Sequence, residues 1–91
     1  MAIRISDHVC NRFIERFNPG LTAINDVQKR LMAARRALLS VLQDSVYVSD
    51  RTEGVLLYNK SLKANIIVRN STFITIYAKD QKRNREREHG R

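Results

Sequence analysis

The sequence predicts an α+β domain: two N-terminal helices packed on a three- to four-stranded antiparallel β-meander, followed by a basic C-terminal tail. Three observations carry this. Apolar residues recur at helical spacing through the first half of the chain; from Val46 the period changes to two, and β-branched and aromatic residues take over. The connections between these later runs are short and polar, which joins neighbours in antiparallel fashion.

Residues 2–5, "AIRI", alternate apolar and polar and suit a short edge strand. Ser6 then stands where an N-cap belongs, with Asp7 placed to suit the helix dipole. Val9, Phe13 and Phe17, with Cys10 and Ile14, form the apolar face of the first helix, and "NPG" at 18–20 ends it. Thr22 is the next cap candidate. From Ala23 to about Gln43, Ile24, Val27, Leu31, Ala34, Leu38, Val41 and Leu42 follow helical spacing, while Lys29, Arg30 and Arg36 make the outer side basic. Arg35 falls among Leu31, Leu38 and Leu42 on the core side; it either snorkels past the core edge, the favoured expectation, or pairs with Glu15 or Asp7. The strand runs are "VYVS", "GVLLYN", "NIIVRN" and "TFITIYAK", with "RNST" at 69–72 a tight hairpin. Residues 1–80 thus form one domain, and "QKRNREREHGR" at 81–91 a tail without an apolar residue, disordered or a helical extension.

Seventeen Lys and Arg against nine Asp and Glu leave a formal charge of +8 on 91 residues. A polyanion is therefore the expected partner class, because basic surfaces release counterions from a phosphate backbone. The single cysteine, Cys10, allows no internal disulfide and fits a reducing cytoplasm; on the apolar face it reads as a small buried side chain. There is no secretory leader pattern and no apolar run of membrane-spanning length, so the expectation is a cytoplasmic protein with no membrane partner.

No phosphate-binding glycine loop, zinc-protease motif, serine elbow or calcium loop occurs, and neither a metal nor a cofactor is expected. What stands out is "HVCNRFIER": His8, Arg12 and Arg16 at four-residue spacing fall one above another on one side of the first helix. Polar sheet residues that could face them are Tyr58, Arg69, Thr75 and Tyr77. Histidine can exchange protons and arginine can fork onto phosphate oxygens, so the set suffices for metal-independent RNA cleavage through the 2′-hydroxyl. The same stripe also reads as a solvated face, with Glu15 pairing to Arg12 or Arg35, and Tyr58 and Tyr77 as sheet-face residues.

With "HVCNRFIERF" at 8–17, "NIIVRN" at 65–70 and "FITIYAKD" at 73–80, the chain resembles small bacterial and phage-encoded proteins that open with an H-x-x-x-R-x-x-x-R helix. That group is similar in architecture to the RelE and BrnT type of toxin, compact α+β ribonucleases that cut messenger RNA without a metal. The resemblance implies a site of His8, Arg12 and Arg16 with Arg69 on the sheet, and a protein partner such as an antitoxin. The expectation is RNA binding, favoured over DNA, with ribonuclease action left open; for cleavage, Arg12 and Arg16 clamp phosphate, His8 exchanges protons and Tyr77 orients the substrate. Lys29, Arg30, Arg36, Arg69 and the tail residues Lys82, Arg83, Arg85 and Arg87 add nucleic-acid affinity. The alternative is a non-catalytic, phage-type interaction protein that blocks a host enzyme or nucleic-acid complex. A third is a small structural subunit.

Overall fold

The structure, a computed structural model, describes residues 3–79. The Ser6 hydroxyl accepts a hydrogen bond from the Val9 amide at 3.2 Å and starts helix α1 (Asp7–Phe17). Asn18 closes it, its amide donating to the Phe13 carbonyl at 3.1 Å, and Pro19 opens a short 3-10 turn, Pro19–Ala23. The second helix, α2 (Val27–Gln43), begins later than the expected Ala23. The Thr22 hydroxyl donates back to the Pro19 carbonyl at 2.6 Å and so serves the 3-10 turn. Asp26 is the cap instead, accepting from the Lys29 amide at 3.1 Å.

Five strands follow the order β1-β5-β4-β3-β2: β1 (Arg4–Ile5), β2 (Val46–Arg51), β3 (Gly54–Asn59), β4 (Ala64–Arg69) and β5 (Thr72–Ala78). The α+β class and two helices agree with the sequence reading, but the sheet is mixed and not a pure antiparallel meander. β1 pairs in parallel with β5, Arg4 with Thr72 and Ile5 with Phe73, and the Arg4 amide donates to the Ser71 carbonyl at 2.8 Å. Both helices and strands β2 to β4 lie between these partners in sequence, and a parallel pair requires such a long crossover. The alternation in "AIRI" marks a short strand but does not choose its partner.

The "RNST" hairpin forms as read. Asn70 and Ser71 have φ of 52° and 59°, the paired left-handed conformations of a type I′ turn, whose twist suits the flanking strands. Gly54 opens β3 at φ 146°, where a Cβ would stand 2.5 Å from the Val68 carbonyl oxygen.

Cross-strand pairing assigns the two faces of the sheet. Ile76, Ile66 and Leu57 form one row, and with Phe73 and Ala64 they pack against Val9, Cys10, Phe13 and Ile14 of α1 and Leu31, Ala34 and Leu38 of α2. Thr75, Ile67 and Leu56 form the adjacent row on the opposite face. Buried Asn59 ties the sheet to the end of α2: its amide donates to the Val41 carbonyl at 2.9 Å, and its oxygen accepts from the Leu62 amide at 2.9 Å.

Arg35 does not merely snorkel. Its Nε donates to the Ile5 carbonyl at 3.0 Å, and Nη2 pairs with the Asp7 carboxylate. The core positions around it leave the guanidinium within reach of the β1–α1 junction, which satisfies it better than open solvent. Among the described residues, no helix is long and apolar enough to cross a membrane.

Replacing Gly54 with alanine forces both a strained φ and a backbone clash. The variant should lose about 2 kcal/mol or more of unfolding free energy, read as a lower midpoint in urea denaturation.

Candidate functional site

The apolar positions of α1 point its Val9–Phe13 side into the core, which leaves the four-residue stripe on the flank. His8 and Arg12 are exposed and Arg16 is half-buried. β1 covers only Thr72 and Phe73 of β5, so α1 runs beside the rest of that strand. The stripe thereby stands beside the open stretch of β5.

A cleft of about 240 Å³ lies there and also reaches Val9 and Ile76 of the core. His8, Arg12 and Arg16 of α1 line one side, and Arg51 and Glu53 of the β2–β3 hairpin contribute from the far side of the sheet. Leu56 and Ile67, opposite each other on β3 and β4, line it between them, with Thr75 and Tyr77 of β5. A bulge shapes this wall: Thr75 pairs with Ile67 and Phe73 with Val68, so Ile74 is an extra residue and also lines the cleft.

Leu56 and Ile67 are only 5% and 4% exposed, although they sit outside the helix-side core. They form the base of the cleft between polar sides, with little of their own surface open. Above it stand three guanidinium groups and an imidazole, all hydrogen-bond donors, with Glu53 as the carboxylate among the described lining residues. Such a set can bind an oxyanion bidentately through arginine.

The other sequence candidates lie elsewhere. Arg69 is exposed at the end of β4, beside the type I′ turn, and does not line the cleft. Lys29 and Arg36 are exposed on α2, and Arg30 donates Nε and Nη2 to the Ile24 carbonyl at 3.0 and 2.8 Å. Tyr58 lies on the cleft face, in the row of Asn65 and Tyr77, with the Lys79 ammonium 5.8 Å from its ring centre. Glu15 is exposed and forms no ion pair among the described residues. Lys82, Arg83, Arg85 and Arg87 lie outside the described residues. Among those described, no group of three or more His, Cys, Asp or Glu is gathered to hold a metal ion.

Sequence reasoning missed Arg51, Glu53, Leu56 and Ile67. "DRTEG" reads as an ordinary polar connector, and only the strand order brings it opposite α1. The alternation in "GVLLYN" and "NIIVRN" does carry a signal: Leu56 and Ile67 fall out of phase with the core-facing Leu57 and Ile66. An apolar residue on the outward phase of two adjacent strands marks a second surface to be covered.

Compared with known proteins, the chain has no match: no family profile, curated sequence or solved structure aligns with it significantly.

Behind the stripe, Cys10 is fully buried, and burial pushes its thiol up, with Asp7 adding to the rise and Arg35 opposing it. A buried neutral thiol is a poor nucleophile. Cys10 should react with an aromatic disulfide reagent roughly a hundredfold more slowly in the native protein than in denaturant, its access limited by opening of the fold. Because the folded thiol titrates above the unfolded one, its contribution to stability is present below the ordinary thiol value of 9.0 and is lost as pH rises through the folded value.

Proposed function

We propose that this chain is a basic nucleic-acid-binding protein that takes single-stranded RNA into the cleft between α1 and the β2–β3 hairpin. The observation that carries this reading is the convergence of His8, Arg12, Arg16 and Arg51 on one cavity. Arginine matches two phosphate oxygens at once, and a formal charge of +8 favours approach of any polyanion. Extended RNA suits the site better than duplex DNA: a single strand brings unstacked bases, and Tyr77 and the arginine planes of the lining are groups on which bases stack.

The same groups support a metal-independent ribonuclease activity. The 2′-hydroxyl loses its proton, O2′ attacks phosphorus, the bond from phosphorus to O5′ breaks, and the leaving oxygen gains a proton. In this reading His8 exchanges a proton, Arg12 and Arg16 hold the phosphate, and Tyr77 orients it. This is the chemistry of the RelE and BrnT type of toxin, with an antitoxin-like protein as a natural partner.

A second reading, a non-catalytic protein that blocks a host enzyme or nucleic-acid complex, draws support from a different place. Val46, Tyr47 and Val48 are 58%, 61% and 49% exposed on β2, the outer strand of the sheet. Exposed apolar residues on an edge strand suit contact with another protein.

End-labelled single-stranded RNA incubated in EDTA at physiological salt tests the first reading. Wild type should shift the RNA, and the double variant Arg12→Ala, Arg16→Ala should lower the slope of log affinity against log salt by about 1.4, two contacts at ~0.7 each. His8→Ala should keep the shift and lose any cleavage. Intact, unshifted RNA at all protein concentrations contradicts the reading and favours the protein-blocking alternative.

A further inference from the structure

We propose that the cleft reads one guanine base, with the Glu53 carboxylate accepting the two adjacent N–H donors of its Watson–Crick edge; this rests on the RNA-binding reading above. The first argument is charge. Phosphate needs donors and cations, which His8, Arg12, Arg16 and Arg51 supply, whereas Glu53 repels phosphate and accepts hydrogen bonds only. A carboxylate at such a site has a favourable role when the ligand brings N–H donors to it, and in single-stranded RNA the bases bring them.

The second argument is placement. Leu56 and Ile67 lie between the arginines of α1 and the hairpin that bears Glu53. A base that enters between them presents its sugar-phosphate side to α1 and its pairing edge to the hairpin. At about 240 Å³ the cavity is smaller than the roughly 300–1,000 Å³ of sites for drug-sized ligands, so it admits a single nucleotide unit. The hairpin fixes the backbone at Glu53, whose side chain is exposed. Its two-residue connection ends at Gly54, whose close approach to Val68 seats it against β4.

The third argument is the shape of the donor set. Guanine sets N1–H and the N2 amino group side by side, matching both oxygens of a carboxylate, as a guanidinium does in an arginine pair. Adenine and cytosine each set one amino group beside an acceptor nitrogen, which repels the second oxygen. Uracil flanks its single N–H with two carbonyls. Glu53 therefore selects guanine through a pair of bonds the other bases cannot make together.

The test is equilibrium binding of nine-nucleotide RNAs at physiological salt, all adenosine except for a central G, A, C, U or inosine. Wild type should bind the central-G strand about tenfold or more tightly than the others, the lower end of discrimination by a bidentate base contact. Inosine, which lacks the N2 amino group, should fall to the level of adenine. Glu53→Gln, whose amide offers one acceptor and one donor group, should bind all five strands alike. Equal binding of the five by wild type, or a preference for guanine that survives in Glu53→Gln, overturns the proposal and leaves the RNA-binding reading standing. No binding of any strand overturns both.

Discussion

The geometry of the molecule depends on one side chain, Arg35, which reaches from the middle of α2 to the junction of β1 and α1. It bonds the last carbonyl of β1, at Ile5, and the first carboxylate of α1, at Asp7. The ion pair is partly exposed, with side chains 36% and 65% accessible, so as a pair it contributes no more than about 1 kcal/mol. Its importance is positional. β1 is fixed to β5 by pairing and runs into α1 through Ser6, and Arg35 ties the middle of α2 to that junction. From that origin, His8, Arg12 and Arg16 span about 12 Å at 1.5 Å per residue, along the flank of the strand whose side chains line the cleft.

The sheet does two different jobs on its two faces. On the helix side, Ile76, Ile66 and Leu57 alternate into a core with Phe13, Ile14 and Leu38, and hydrophobic burial holds the layers together. On the other side, Leu56 and Ile67 line a cleft whose upper groups are charged. The bulge at Ile67/Val68 lets β5 serve both faces, since the extra residue Ile74 changes the phase between Phe73, which packs inward, and Thr75, which lines the cleft. Without that change of phase, Phe73 and Thr75 would share a face.

Most of the architecture was legible in the sequence because it rests on local signals. The Ser6 cap, the stop at Asn18 and Pro19, and the Asn70–Ser71 turn each depend on a few adjacent residues. The readings that failed turn on side-chain directions and on distant contacts. Thr22 looks like a cap until its hydroxyl is seen turned back to Pro19, and Arg35 looks like a snorkelling side chain until Ile5 and Asp7 arrive beneath it. β1 was visible as a short alternation, but its parallel pairing with β5 joins the two ends of the described chain. The site divides in the same way. Its α1 half shows in sequence as a four-residue repeat, while its hairpin half, Arg51 and Glu53, lies in a polar turn whose position is set by strand order alone.

The central claim is that the cleft, and not the basic face of α2 or the apolar edge of β2, receives RNA. The most direct measurement is a titration of isotope-labelled protein with a short single-stranded RNA, followed by amide resonances. The largest shifts should cluster at His8, Arg12, Arg51, Glu53, Leu56 and Ile67, on three separate segments of the chain that meet only in the folded cleft. Shifts concentrated at Lys29 and Arg36 on α2, or at Val46–Val48 on β2, with the cleft residues unmoved, contradict it.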